Sequence, residues 1–296
     1  MEIRMTEEKK VAYSKSRKNT VLFDHATREI YSLDDDVDIG FLEYEMVNRS
    51  RVRRPSSKIS ERIFFKYVID KEDAIVLEVG GNNGRHTRRF LAETTATIHT
   101  FEPNVYAIKY FNDIVEEERL WLNMYGLSSE QRLLTFNILT QLGDKKLDPV
   151  NGASSFNRLK ENAAYRTVTA CCISGTQYLE MAGIAGKPYC LWVDVEGHAT
   201  EVISGFGDAL QYAKIVICEL ENTNMYNSGA NADDIIRMLL ANGHKIIFRD
   251  FQNYGQFNIV SINENVLMEC ATLIEPAGQF IADISKFANS HLKDEL

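Results

Sequence analysis

Residues 74–103, AIVLEVGGNNGRHTRRFLAETTATIHTFEP, constrain the fold more than any other stretch of the chain. An apolar run, Ala74 to Val79, ends in Gly80-Gly81-Asn82-Asn83-Gly84. A short helical stretch follows, and a second β-rich run, Thr95 to Phe101, stops at Glu102-Pro103. Strand, glycine turn, helix and a strand ending in an acid make the opening of a nucleotide-type cofactor site. Glycines let the backbone pass close to a ligand. The helix N-terminus beyond them offers free N–H groups that favour an anion. Glu102 stands 18 residues past Gly84, where a carboxylate on the second strand accepts both hydroxyls of a ribose. The same glycines would also serve an ordinary βα turn that needs them only for tight packing.

A dinucleotide fingerprint reads G-x-G-x-x-G, its middle glycine making room for a pyrophosphate. Here Asn82 stands where that glycine would be, and Glu78 sits two residues before Gly80. S-adenosylmethionine has no phosphate; it carries an amino group, a carboxylate and a sulfonium cation. Glu78 near the amino-acid end, with Asn82 and Asn83 as hydrogen-bonding groups, fits that ligand better than a diphosphate.

The length of 296 residues allows one large α/β domain with an extension, and 45% hydrophobic with 25% charged residues is ordinary for a globular protein. The net charge of −9 argues against general affinity for nucleic acid or anionic membrane. No window approaches the roughly 20 apolar residues that span a bilayer, and MEIRMTEEKK lacks the apolar centre of a signal peptide. The terminal Lys293-Asp294-Glu295-Leu296 spells a retrieval signal that has no meaning on a chain outside the secretory route, so a cytoplasmic location is expected. Five cysteines (Cys171, Cys172, Cys190, Cys218, Cys270) without C-x-x-C spacing read as buried, reduced residues.

Residues 1–70 form a charged N-terminal extension, expected to be partly helical over Ile59–Ile69, with an acidic loop and a basic run (Arg49, Arg51, Arg53, Arg54, Lys58). The default for such a run is a solvated face; the alternative is that these arginines and the following helix cover the site or bind an anionic acceptor. From residue 71 to 296 one domain is expected. Strands are predicted at Ala74–Val79, Thr95–Phe101, Leu120–Tyr125, Leu133–Asn137, Tyr189–Asp194, Lys214–Leu220, Lys245–Phe248 and Phe257–Ile262. Helices are predicted at Arg85–Ala92, Val105–Glu117, Gly175–Ala182, Thr200–Tyr212 and Ala232–Asn242. This alternation implies an α/β fold, a mostly parallel sheet with helices on both faces. The last two strands, joined by a short loop, form an antiparallel hairpin.

A second cluster lies in Leu191-Trp192-Val193-Asp194-Val195-Glu196-Gly197-His198. Asp194 ends a central strand, and ligand crevices of open α/β sheets lie outside those ends. Asp194, Glu196 and His198 therefore share a turn beside Gly80–Gly84. Cys218-Glu219-Leu220-Glu221-Asn222 repeats the pattern one strand later. Any one of these acids would serve as a helix cap; two clusters on adjacent strands make capping a poor account of all of them.

These strings resemble the FkbM-type S-adenosylmethionine-dependent methyltransferases. Glu78-Val-Gly-Gly-Asn-Asn-Gly-Arg-His-Thr87 is similar to that family's D-V-G-A-N-I-G-x-x-T loop, and Phe101-Glu102-Pro103-Asn104 to its F-E-P-N strand end. Tyr125-Gly126-Leu127-Ser128 sits where the family has A-L-S, and Asn151-Gly152-Ala153-Ser154-Ser155-Phe156 resembles its G-A-S-S-L. Asp194-Val195-Glu196-Gly197 matches D-V-E-G, and Glu219 the acid after the next strand. Glu78, Gly81 and Asn83 depart from the commoner Asp, Ala and apolar residue. The likeness covers about residues 74 to 262; residues 1–70 and the tail match nothing.

The resemblance implies a class I methyltransferase, Rossmann-like with a seven-stranded sheet, that methylates a hydroxyl of a sugar, glycan or secondary metabolite. It implies Glu78, Gly80, Gly81, Asn82, Asn83, Gly84 and Thr87 around the donor's amino-acid part, Glu102 with Pro103 at the ribose, and Asn104, Tyr125 and Gly126 near the adenine. Asp194 would stand by the sulfonium. Glu196, His198 and Glu219 complete the expected catalytic set, with Ser154, Ser155 and Asn222 towards the acceptor. Holding nucleophile and methyl in line carries much of such a rate, helped by a general base, for which His198 has the ordinary pKa. Oxygen ligands such as Asp194, Glu196 and Glu219 suit Mg²⁺, but nothing in their spacing demands a metal. A nicotinamide-dependent dehydrogenase or epimerase and a non-catalytic scaffold that keeps the pocket stay open as alternatives.

Overall fold

The computed structural model describes residues 21–24, 29–32, 38–41, 50–159, 162–221, 226, 232–250 and 256–267, with side chains from residue 57 onward. In chain order its elements are β1 (Val21–Asp24), β2 (Glu29–Ser32), β3 (Asp38–Phe41), α1 (Ser50–Ile69), β4 (Ile75–Val79), α2 (Arg85–Glu93), β5 (Thr97–Phe101), β6 (Leu120–Asn123), β7 (Gly126–Ser128), β8 (Arg132–Leu142), β9 (Lys145–Lys146) and β10 (Ala163–Ser174). Then come α3 (Gly175–Met181), β11 (Tyr189–Val193), α4 (Ala199–Phe206), β12 (Ala213–Glu221), α5 (Ala232–Ala241), β13 (His244–Arg249), β14 (Gln256–Asn263) and α6 (Glu264–Leu267).

The main sheet has seven strands in the order β13-β14-β12-β11-β4-β5-β6. Strands β6, β5, β4, β11 and β12 run parallel, and β14 pairs antiparallel with both β12 and β13. This is the class I methyltransferase arrangement that the sequence led us to expect. Because successive side chains of a strand point to opposite faces, β4 divides cleanly. Val76 joins the layer under α1 and α2, while Leu77 and Val79 join the layer under α3, α4 and α5.

The α1 layer is aromatic. Phe64 and Phe65 of α1, Phe90 of α2 and Trp192 of β11 pack at ring distances of 4.4 to 6.0 Å. Helix α1 thus puts its second half into the core of the main unit. A three-stranded antiparallel sheet, β1-β2-β3, precedes it, where the sequence suggested only charged lead-in and helix.

Three expectations change. Val105–Glu117 is not an α-helix but a chain of turns with one 3₁₀ turn, Ile108–Tyr110. Its backbone bonds run from i+3 to i (Ala107 to Asn104, Tyr110 to Ala107, Ile114 to Phe111), and the Arg88 guanidinium takes the Tyr110 carbonyl that a helix would need. Leu133–Asn137 belongs not to the main sheet but to β8, in a separate four-stranded sheet of order β7-β10-β8-β9. The long strand β10 in that sheet is mostly exposed or half exposed and its apolar runs are short, Ala163–Tyr165 and Ala170–Ile173, so it gave only a weak strand signal. Cys171 is exposed, against expectation, while Cys172, Cys190 and Cys218 are buried and all four are unbridged; Cys270 lies outside the described residues. No helix among the described residues is long and apolar enough to cross a membrane.

Truncating Phe90 should leave a void among three aromatic rings, those of Phe64, Phe65 and Trp192. Phe90→Ala is expected to lower the free energy of unfolding by about 3–5 kcal/mol, read from the urea midpoint at unchanged slope.

Candidate active site

Register brings the chemistry together. Val79 of β4 is paired with Phe101 of β5 and Val193 of β11, and Val193 with Cys218 of β12. The next residues along these strands, Gly80, Glu102, Asp194 and Glu219, therefore form one row at the carboxyl end of the sheet. A cavity opens over this row. From the sequence set, Gly80, Asn82, Glu102, Pro103, Asn104, Gly126, Ser154, Asp194, Glu196 and His198 line it.

The glycines mostly serve packing. Gly80 has φ +97°, and a Cβ there would stand 1.7 Å from the Asp194 carbonyl oxygen. Both Gly80 and Gly81 donate their N–H to the Phe101 carbonyl, at 2.9 and 3.0 Å. The space these glycines leave is filled by neighbouring strands rather than by the cavity. Gly84 is pressed against Arg88 and Phe111. Exposed Asn83 accepts from Arg85 N at 3.2 Å, so it serves the start of α2 and lies outside the cavity wall.

Glu102 ties the site together. Its Oε2 accepts from Asn82 N at 2.6 Å and its Oε1 from Asn104 N at 2.7 Å. Each oxygen keeps a lone pair. Burial pushes its pKa up to about 7, and the two backbone donors hold it from rising further. Glu78 lies beneath the loop and not in the wall: its Oε2 accepts from Thr87 and Thr100, at 2.5 and 2.8 Å, and its buried Oε1 has no partner. Thr87 is thereby a second-layer support. Asn104 spends its side chain on Pro149 O and Tyr106 N, and Tyr125 donates to Asn123 outside the wall.

The turn after β11 is held from several sides. Glu196 has φ +49° and Gly197 +82°, a left-handed pair that is costly for a residue with a Cβ. Ser155 Oγ donates to the Glu196 carbonyl, and Asn157 Nδ2 donates to Gly197 O at 2.6 Å. Gly197 N donates to Glu221 Oε1 at 2.6 Å. Ser155 thus supports the turn from behind, whereas Ser154 is in the wall. Asn222 lies outside the described residues.

Asp194, Glu196 and Glu219 place carboxylate oxygens within 4.8 Å of one another. Burial raises the pKa of all three and of Glu221, and other acids add to it: Glu61 for Asp194, Asp194 for Glu196, Asp194 and Glu196 for Glu219, Glu196 for Glu221. Gln256 Nε2 bridges Glu196 Oε2 and Glu219 Oε1, at 2.9 and 3.1 Å, the bridging that a cation would otherwise provide. His198 is buried, hydrogen-bonded to Ser128 at 3.2 Å, and burial lowers its pKa to about 4. It is neutral at physiological pH and a weak base.

Sequence reasoning missed Phe136, Asn151, Gly152 and Phe156 in the wall, and Tyr226 and Gln256 behind it. The hairpin register would have found Gln256, which pairs with Glu221.

The methyltransferase FkbM domain matches residues 78–246. Among curated proteins, the hexuronic acid methyltransferase AglP of Haloferax volcanii is 28% identical over 169 residues, 57% of this chain and 62% of that one. The 2-O-methyltransferase NoeI of Sinorhizobium fredii is 23% identical over 181 residues, 59% of this chain and 74% of that one. The match thus spans less than two thirds of AglP. A solved rRNA methylase from Streptococcus thermophilus overlays with a TM-score of 0.39 at 8% identity, over 72% of this chain and 98% of that one.

Glu78 supplies a pH test. Its carboxyl titrates near 4.5 when exposed and about 7 when folded, so burial raises it. A raised carboxyl contributes its stability in full below the unfolded value and loses it as pH climbs through the folded one. Glu78→Gln removes that loss. The unfolding free energy of Glu78→Gln relative to wild type should rise between pH 5 and 8 by on the order of 3 kcal/mol at most. Urea titrations of ligand-free protein at each pH would show it; a flat difference means Glu78 ionises freely.

Proposed function

We propose, because the chain belongs to the methyltransferase FkbM domain family, that it transfers a methyl group from S-adenosylmethionine to a hydroxyl of a sugar or glycan. The observation that carries this is the row of Glu102, Asp194 and Glu196 around one cavity at the strand tips. No Lys or Arg lines that cavity among the described residues, which suits a donor that is cationic at sulfur and nitrogen. Bound there, the donor supplies a methyl group made electrophilic by the sulfonium.

In this proposal Glu102 receives the ribose hydroxyls on its two remaining lone pairs. Gly80 and Asn82 face the amino-acid part, and Pro103, Asn104 and Gly126 the adenine. Asp194, which accepts no side-chain hydrogen bond among the described residues, offers its carboxylate to the sulfonium side. Glu196 would take the acceptor's proton as the acceptor oxygen bonds to the methyl carbon and that carbon's bond to sulfur breaks, leaving S-adenosylhomocysteine. His198, tied to Ser128 and poorly basic, orients the wall instead. Ser154 faces the acceptor. A sugar acceptor is favoured by the relatives, whose names give a hexuronic acid and a 2-O position as their targets.

The nicotinamide alternative loses support on the same geometry. A pyrophosphate needs free N–H groups at the glycine turn, and those of Gly80 and Gly81 are both engaged by Phe101.

The test is methyl transfer from labelled donor to neutral sugars, amino sugars and uronates. Glu102→Ala should weaken S-adenosylhomocysteine binding at least about tenfold, as loss of a charged hydrogen-bonding partner does. Asp194→Asn should bind that ligand and lose roughly 10- to 100-fold in kcat. Unchanged turnover in Asp194→Asn removes the role given to that acid, and a thermal shift with NAD but not with S-adenosylhomocysteine removes the donor.

A further inference from the structure

Tyr226 belongs to none of the motifs that brought the site together, yet it meets the catalytic turn at two points. Its ring lies on Gly197, where a Cβ would come within 2.6 Å of it. Its hydroxyl donates to Glu196 Oε2 at 2.6 Å. Gln256 Nε2 donates to the same oxygen at 2.9 Å. Glu196 Oε1 receives nothing from the described residues. It faces the cavity side: a Cβ on Gly152 would lie 3.7 Å from it and 4.0 Å from Asn82 Nδ2. Tyr226 is also bridged antiparallel to Leu159, just past the 151–157 segment whose Ser155 and Asn157 hold the backbone of this turn.

One carboxylate oxygen is therefore held by two donors and the other is left to act. A Glu side chain free to turn would present either oxygen, at varying distance, and would lose rotamer freedom in every turnover. Two donors on Oε2 remove that freedom beforehand, which is the preorganisation a proton acceptor needs. We propose that Tyr226 is a positioning residue that, with Gln256, locks Glu196 so that Oε1 alone meets the acceptor hydroxyl. This rests on the assignment of Glu196 as proton acceptor under the proposed function.

Tyr226→Phe keeps the ring on Gly197 and removes only the hydroxyl. Two measurements decide the matter: crystal structures of wild type and Tyr226→Phe with S-adenosylhomocysteine, and labelled methyl transfer to methyl α-glucoside, N-acetylglucosamine and glucuronic acid. The second uses wild type, Tyr226→Phe, Glu196→Gln and the double variant. Tyr226→Phe should bind S-adenosylhomocysteine as wild type does, let Glu196 leave its single conformer, and lose roughly 10- to 100-fold in kcat at unchanged donor KM. On the Glu196→Gln background the same change should cost no more than about twofold, because the two act as one unit. A Glu196 that keeps its place in Tyr226→Phe, an equal loss on both backgrounds, or loss of S-adenosylhomocysteine binding overturns the positioning role. Full activity in Glu196→Gln instead sinks the assignment of Glu196, and no transfer by wild type to any of the three sugars sinks the sugar acceptor of the proposed function. The crystal comparison then still decides whether Tyr226 fixes that carboxylate.

Discussion

Seven carboxylates, of Glu78, Glu102, Asp194, Glu196, Glu219, Glu221 and Asp250, are gathered at one end of one sheet and withdrawn wholly or largely from water. Removing a charged carboxylate from water costs several kcal/mol unless partners compensate it. The protein supplies those partners mainly from neutral donors: backbone N–H groups for Glu102 and Glu221, hydroxyls for Glu78, and amides for Glu196, Glu219 and Asp250. Few arginines or lysines take part. Neutral donors orient a carboxyl without placing a positive charge beside it, and no Lys or Arg among the described residues lines the cavity that a cationic donor is proposed to enter.

Such an arrangement stands only on a rigid base. Directly below the row, Trp192, Phe90, Phe64 and Phe65 fill the layer between the sheet and α1–α2, where aromatic edge and face contacts add to area burial. Above it, the cofactor-type loop is pinned by its own acid: Glu102 reaches back to Asn82 N and forward to Asn104 N. Arg88 holds the Asn83 carbonyl at 3.0 Å and is paired with Asp113, joining the loop to the turns after β5. An acid that binds two loops through their backbones gives a pocket whose shape survives without a ligand.

The elements legible in the sequence are those whose burial is two-sided or whose turns need glycine. Ile75–Val79, Tyr189–Val193 and Ala213–Glu221 are predominantly apolar because both faces are covered, and each stands within a residue or two of its predicted span. The rows of acids at their ends follow from parallel register alone. What the sequence hid is one-sided or long-range. Strand β10 alternates exposed and half-exposed residues over most of its length. The turns after Asn104 looked helical by composition but surrendered a carbonyl to Arg88. The glycine loop was legible as a motif and partly misleading as physics: Gly80 is needed because the Asp194 backbone occupies the space beside it.

The second sheet closes the cavity over the strand tips, on the side that the proposed function gives to the acceptor. Strands β8 and β10 carry the 147–159 segment over the strand tips, bringing Phe136, Ser154 and Phe156 into the cavity wall. The same segment holds the Glu196–Gly197 backbone in its left-handed turn through Ser155 and Asn157. Strain of roughly 1–3 kcal/mol at a non-glycine residue in that region persists only where its surroundings over-determine it. That wall and the acid turn are thus one mechanical unit: under the proposed function, a change in the segment that admits a different hydroxyl also shifts the carboxylate that would receive its proton. The proposed donor side is tied to the same segment, because Asn104, whose backbone N–H donates to Glu102, also donates its side chain to Pro149 O at 2.8 Å. A change in that segment therefore reaches both sides of the cavity that Glu102, Asp194, Glu196 and Ser154 line.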